Sequence, residues 1–382
     1  MQKVKVAIIG GGVAGLMCAR ELEKKGVKDF VVISKDIGGR VICSSNRKVN
    51  YGAYFVTKTY KNLKPFLQFL RPIRKKDCLF VKSRKIYTIF SFHFVPYIFS
   101  YLRLILGLIK FRIHFERFRK NTLKISQKKA IELDPYLSKL YFTKASDFIE
   151  QKRLQKYEHE YLDAMANAMS FSDPNKASAF LFLQWASEML LYTLYEFYMD
   201  IPKMINNFKE KIIIDTVKKI DYNDGKYIVK TENNLQIESS YLVMAAEPWL
   251  SKDIIDVKLP EYDFTNAHMW HIAGNVRETY KKKIYVFFPA KASFIVLARQ
   301  LDDTYIVYAD NKDVDLGHCF IDYQIIFEKD WVPAFQYNRY DIFEAEKENG
   351  LYFIGSQNLD GLEDSAITGV WAARKIINAC KK

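Results

Sequence analysis

At 382 residues the chain exceeds the size at which one hydrophobic core keeps growing, so two domains are expected. Apolar residues make up 49% and aromatics 15%, against 27% charged, which excludes general disorder. The formal charge of +14 suits an anionic membrane surface or an acidic ligand, but the basic residues are scattered without zinc-finger spacing or an RNP-type aromatic motif, so no nucleic-acid partner is expected.

In chain order, "VKVAIIG" is a short run rich in β-branched residues and predicts a strand buried on both faces of a parallel sheet. Gly10, Gly12 and Gly15 follow in G-x-G-x-x-G spacing, then a helical stripe at Leu16, Ala19 and Leu22, with Lys24 and Lys25 in the last turn and Gly26 as a stop. "DFVVIS" supplies a second strand and completes a β-α-β unit. Gly10 permits the tight turn, Gly12 lets a pyrophosphate approach the backbone, and Gly15 lets helix and strand pack closely. The helix N-terminus then offers N–H groups and partial positive charge to phosphates. Where an acid normally binds the adenosine ribose, the chain has Ser34 followed by Lys35. Serine is a weaker acceptor than a carboxylate, and Lys35 could pair with a 2′-phosphate, so this segment leaves NADP and FAD both open.

"IGGRV" (37–41) comes directly after the second strand and makes a second close approach of backbone to phosphate, with the Arg40 guanidinium available for the charge. Here the sequence resembles the flavoenzyme superfamily of amine oxidases, protoporphyrinogen oxidase and phytoene desaturases, in which a glycine fingerprint is followed by G-G-R. The resemblance continues at "VNYGAYF" (49–55), where Gly52 and Ala53 match and Asn50 stands for the usual acid. It continues at "IIIDTVKKIDYNDGKYIVKTENNLQIESSYLVMAA" (212–246), read as strands with turns at 223–225 and 232–234, and at "NGLYFIGSQNLDGLEDSAITGVWAARKI" (349–376), a buried strand, loop and helix in which Ser356 replaces an acid.

The resemblance implies FAD as cofactor and a Rossmann-type α/β domain, a central parallel sheet with a β-meander, built discontinuously from 1–56, 206–256 and 341–382. It implies cofactor contacts at Gly10, Gly12, Val13, Ala14 and Gly15, at Ser34 and Lys35, at Gly38, Gly39 and Arg40, at Gly52 and Ala53, at Val217 and Ala246, at Gly355 and Ser356, and at Ser365, Ala366 and Ile367. Ser34, Asn50 and Ser356 each remove a carboxylate that the family usually has, which predicts weaker polar contacts to the cofactor.

The two insertions, 57–205 and 257–340, are expected to form an α+β substrate domain. The first reads as helical. The second reads as strands at "HMWHIAGNV", "KIYVFFPA", "SFIVLAR" and "TYIVYA", giving a mainly antiparallel sheet with helices. Ile86–Leu102 lacks formal charge and is followed by Arg103, Lys110, Arg112, Arg117 and Arg119. Pro96 and His93 interrupt it as a span, so 86–119 reads either as an interfacial membrane segment or as the wall of an apolar pocket. His268 and His271, three apart on a strand, point to opposite faces, so no metal is expected. "YEHEY" around His159 reads as an exposed helix face, and Lys281–Lys283 as a solvated turn.

Five scattered cysteines without C-x-x-C, and an N-terminus without a secretory pattern, fit a cytoplasmic chain, associated with a membrane under the first of the two readings of 86–119. No acid, base or nucleophile stands out. Trp331, Tyr337 and Tyr340 are placed near the flavin by analogy, with core packing the plainer reading. The expected activity is FAD-dependent removal of hydride from a hydrophobic small molecule, with oxygen or another acceptor reoxidising the flavin. An NADP-linked reductase and a non-catalytic binding module are the alternatives.

Overall fold

The apolar run after the N-terminus forms β1 (Gln2–Gly12), whose Val6, Ala7 and Ile8 are completely buried. The helix α1 (Val13–Lys24) follows, and Gly26 ends the turn after it at a φ of +83°, a conformation open to glycine at little cost. Next comes β2 (Phe30–Gly38), parallel to β1 with Ile8 opposite Val32. The computed structural model describes the whole chain except residues 83–84, 89–91, 172–175, 260–262, 290–291, 338–340 and 382.

The remaining strands, in chain order, are β3 (Val56–Thr57), β4 (Leu67–Ile73), β5 (Cys78–Lys82), β6 (Lys85–Tyr87), β7 (Leu194–Met199), β8 (Ile212–Ile214), β9 (Val217–Asn223), β10 (Lys226–Thr231), β11 (Gln236–Met244), β12 (Asp263–Val276), β13 (Tyr285–Phe287), β14 (Val296–Arg299), β15 (Tyr305–Ala309), β16 (Phe320–Tyr337) and β17 (Leu351–Phe353). The first sheet runs β8-β2-β1-β11-β10-β9, with β17 beside the far end of β11. Its β1, β2, β8, β11 and β17 are parallel, and β9–β11 form the antiparallel meander that the turn residues predicted. α1 and the last helix, Leu362–Ala379, cover one face. They meet at Gly369, where a Cβ would come 2.2 Å from the Ala14 carbonyl oxygen.

The second sheet, β16-β12-β15-β14-β13-β5-β6, is antiparallel apart from the β13–β5 pair, and β3-β7-β4 form a small third sheet. Helices and a mainly antiparallel sheet therefore lie beside the Rossmann-type sheet, as expected.

Three expectations are corrected. The first insertion holds β4 to β7 as well as helices. Leu67–Ile73 pairs with Leu194–Met199, so the partner that makes it a strand lies more than a hundred residues away and local periodicity could not show it. β16 was not read either. At the sheet edge most of its side chains stay exposed, and three register shifts against β12 break its alternation. "YEHEY" is not an exposed face, since Tyr157, Glu158 and Tyr161 are buried around one π-helical turn, Glu158–Leu162.

Within the uncharged run, a 3₁₀ segment Phe92–Tyr97 carries Pro96, and α2 (Ile98–Asn121) starts only after it. α2 buries Leu104, Leu108, Phe111, Phe115 and Phe118, the three phenylalanines meeting Phe180 on the helix Ala179–Leu191. At its end, Arg119 makes a two-pronged ion pair with Asp364, Nε to Oδ1 at 2.8 Å and Nη2 to Oδ2 at 2.7 Å.

Candidate cofactor site

Absent side chains build the site. A Cβ on Gly10 would lie 2.8 Å from the Ala245 carbonyl carbon and 3.0 Å from Ala246 N, so Ala246 packs on the turn. A Cβ on Gly15 would lie 2.0 Å from Gly10 O, which fixes the crossing of α1 over β1. Gly12 is different, because the nearest atom to a Cβ there is Gly39 Cα at 4.0 Å. The first and third glycines are thus consumed by packing, while the second leaves its backbone open to a ligand. Gly39, at a φ of +60°, comes against Gly12, and Gly355, at +97°, comes against Ala14, so three separate chain segments meet around the first turn of α1. Gly12 caps that helix without a side-chain bond, and the first turn, with Val13 and Ala14 buried, has no acidic residue. Neither a cap side chain nor an acid in the first turn offsets the positive end of the helix, which fits a pyrophosphate.

The G-G-R and Gly-Ala segments hold each other. Ala53 N–H donates to Arg40 O at 2.8 Å, and a Cβ on Gly52 would lie 2.0 Å from that oxygen. Gly38, at a φ of +105°, accepts from Val41 N–H. The Arg40 guanidinium is less available than the sequence suggested. It pairs with Glu247 at 2.7 Å and lies over the Phe335 ring at 5.0 Å. Ser356 Oγ donates to the other Glu247 oxygen at 3.2 Å, and Gln336 Nε2 donates to Ser356 O at 2.5 Å. Glu247, Phe335 and Gln336 were missed by sequence reasoning. Glu247 follows Ala246 directly, and no motif marks it, although it brings a carboxylate to the position where Ser356 lacks one.

Asn50 has a structural reason. Its amide donates to Phe197 O on β7 at 2.6 Å, a bond that an aspartate could not make. Ser34 lies beside Gly11, its hydroxyl donating to Asp36 O at 2.7 Å, and Lys35 is exposed. Ser34 O accepts from Asp215 N–H, two residues before Val217, which starts β9. In the last helix, Ala366 and Ile367 are buried, and Ser365 O accepts from Thr368 Oγ1, which itself accepts from Gly355 N–H. The two acids at the start of that helix serve structure: Asp364 holds Arg119, and Glu363 accepts from the N–H groups of Lys61, Asn62 and Leu63.

Beyond Gly52 and Ala53 stands an aromatic wall. Tyr54 meets Tyr285 and Tyr308 edge-on, and Phe171 packs on Tyr308 and Phe335. Glu196 accepts from Tyr54 at 3.1 Å, Tyr285 at 2.7 Å and Arg71 at 2.6 Å. Burial raises the phenol pKa of all three tyrosines, so each stays a hydrogen-bond donor at neutral pH. Behind the wall lie two apolar cavities that share Met165 and Met189, one reaching Phe80, Phe287 and Lys75, the other Phe182 and Trp185. Trp331 packs partly buried at the edge of this core, and Tyr340 lies outside the described residues. His268 pairs with Asp330 at 2.8 Å, while His271 bonds Tyr51 and Thr304, its pKa lowered by burial. No group of potential metal ligands occurs among the described residues.

Fold and glycine cradle together define a Rossmann-type sheet joined to a second, mainly antiparallel sheet. Residues 8–70 match the model of an NAD(P)-binding Rossmann-like domain. No curated protein matches the sequence. Among solved structures, the chain is similar to a putrescine oxidase with redesigned cofactor binding, at a TM-score of 0.69 and 14% identity over 99% of both chains. It is similar to cyclohexylamine oxidase from Brevibacterium oxydans IH-35A (0.67, 13%, covering 99% of this chain and 100% of that one) and to a CLA-producing fatty acid isomerase from P. acnes (0.71, 13%, 98% of each). The likeness is one of fold, and it bears out the resemblance read from the sequence at that level.

Proposed function

We propose that the chain binds FAD and is an FAD-dependent oxidoreductase that removes hydride from a hydrophobic small molecule, with oxygen or another acceptor taking the electrons onward. The observation that carries the reading is the convergence of Gly12, Gly39 and Gly355 on the uncapped N-terminus of α1. An NADP site needs only the first of these segments. The G-G-R and C-terminal segments meeting at the same helix end favour the larger flavin dinucleotide over the reading that exposed Lys35 keeps open.

Gly12, Gly39 and the first turn of α1 would hold the pyrophosphate, Ser34 and the backbone near Val217 the adenosine end, and Arg40, Gly52, Ala53, Gly355 and Ser356 the segment toward the ring. When bound, the flavin supplies a hydride acceptor, so the chain needs to position a substrate C–H rather than provide a base. Tyr54, Tyr285 and Tyr308, kept protonated by burial, present apolar ring faces and exclude water. The cavities around Met165 and Met189 hold no more than a water or so, and it is their apolar lining, with Met a side chain that adapts to irregular apolar shapes, that suits an apolar substrate. Similar folds occur in two amine oxidases and a fatty acid isomerase, so an amine with an apolar body and an unsaturated acyl chain are the two classes to test first.

The test is anaerobic addition of apolar amines, unsaturated fatty acids and polyenes to the flavin-loaded protein. Bleaching of the visible band by one class is expected. Bleaching by none of them, with reduction by NADPH instead, would overturn this reading in favour of a reductase.

A further inference from the structure

α2 and the turn before it carry apolar side chains that the protein leaves uncovered. Phe92 is 95% exposed, Phe99 77% and Leu106 69%, and Val95, Leu102, Ile109 and Ile113 are exposed as well. Along α2 the spacing of Phe99, Leu102, Leu106, Ile109 and Ile113 alternates between three and four, so these residues share one stripe. The buried residues Leu104, Leu108, Phe111, Phe115 and Phe118 lie on the opposite side. Arg103, Lys110, Arg117 and Lys120 are exposed beside or beyond the stripe. Glu116 is the one acid in the helix, and it is already engaged by Arg112 at 2.6 Å and by Lys61 at 3.4 Å.

We propose that α2 lies flat on an anionic lipid bilayer, the stripe among the acyl chains and the cations at the level of the headgroups. Charge decides between the three arrangements open to such a face. A membrane-spanning course would tear Arg119 from Asp364 and carry the Arg103, Lys110 and Arg112 charges of the same helix into hydrocarbon. A second copy packed stripe to stripe in the antiparallel sense would bring the Arg103, Lys110 and Arg117 rows together, with no unengaged acid on the helix to answer them, and in the parallel sense would leave both rows without a partner. An anionic bilayer satisfies both components, because the apolar stripe enters the interface while the long cationic side chains reach the headgroups. The chain's +14 charge acts in the same direction.

The test is co-sedimentation of the full chain with phosphatidylcholine vesicles, with and without about a third phosphatidylglycerol, at low and high salt. The wild type is expected to bind the anionic vesicles at least about tenfold more tightly, with salt eroding the difference. Arg103→Gln/Lys110→Gln/Arg117→Gln should lose that preference, and Phe99→Ser/Leu106→Ser should lose binding to both vesicles. These side chains are exposed, so thermal midpoints should match the wild type and separate lost binding from lost folding. A wild-type chain that stays in the supernatant with anionic vesicles at low salt overturns the proposal. So does a wild-type dimer in analytical ultracentrifugation that Phe99→Ser/Leu106→Ser splits without any change in vesicle binding.

Discussion

The last helix faces two neighbours and meets them by opposite means. Toward α1 it approaches because a side chain is missing, with Gly369 against the Ala14 carbonyl. Toward α2 it approaches through large charged groups, with Asp364 clasping Arg119 and Glu188 3.6 Å from the same guanidinium. The nucleotide side thus depends on backbone proximity, and the helical side on buried ion pairs and stacked phenylalanines. Glycine contacts fix a distance and add little energy. Buried ion pairs fix a partner and become costly once half-broken.

Four substitutions break or sharpen this contrast. The largest effect is expected from Gly15→Val, whose Cβ would meet the Gly10 carbonyl where only backbone could give way. It should cost at least ~3 kcal/mol and abolish flavin retention, read by chemical denaturation and absorbance. A Gly15→Val protein of wild-type stability would remove the nucleotide half of the comparison. Arg119→Leu strands two buried carboxylates, Asp364 and Glu188, and should cost about 3–5 kcal/mol, the share due to Asp364 being regained in Arg119→Leu/Asp364→Leu, since an apolar pair can replace a buried ion pair. If the single and double variants unfold at the same denaturant concentration, the pair is not what joins the helices.

Asn50→Asp sets a carboxylate against Phe197 O and should cost about 1–3 kcal/mol. Wild-type stability would return Asn50 to the cofactor question. Ser34→Glu should tighten FAD by about tenfold, because a charged acceptor replaces a hydroxyl engaged with its own backbone. Titration with FAD checks this, and unchanged or weaker affinity counts against the assignment of Ser34 to the ribose.

The same contrast explains how much was legible beforehand. Glycine spacing is local, so Gly10, Gly12, Gly15, Gly38 and Gly39 pointed to a phosphate cradle from sequence alone, and the turns at 223–225 and 232–234 gave the meander. Side-chain partnerships are not local. Asn50 meets Phe197 after 147 residues, Arg119 meets Asp364 after 245, and Glu363 caps a turn some 300 residues before it. The departures at Asn50 and Ser356 looked like plain losses, because neither Phe197 O nor Glu247 is marked by any nearby pattern. β4 and β16 were missed for a related reason, as each is defined by a distant partner or by edge exposure rather than by a clean alternation of its own.

The central claim is that the cradle at the start of α1 holds FAD. Its most direct test is the visible spectrum of the purified chain, followed by release and identification of the bound nucleotide. A flavin spectrum with close to one FAD released per folded chain is the predicted result. A folded, colourless protein that takes up no FAD when it is supplied, or one that releases NADP instead, would contradict it.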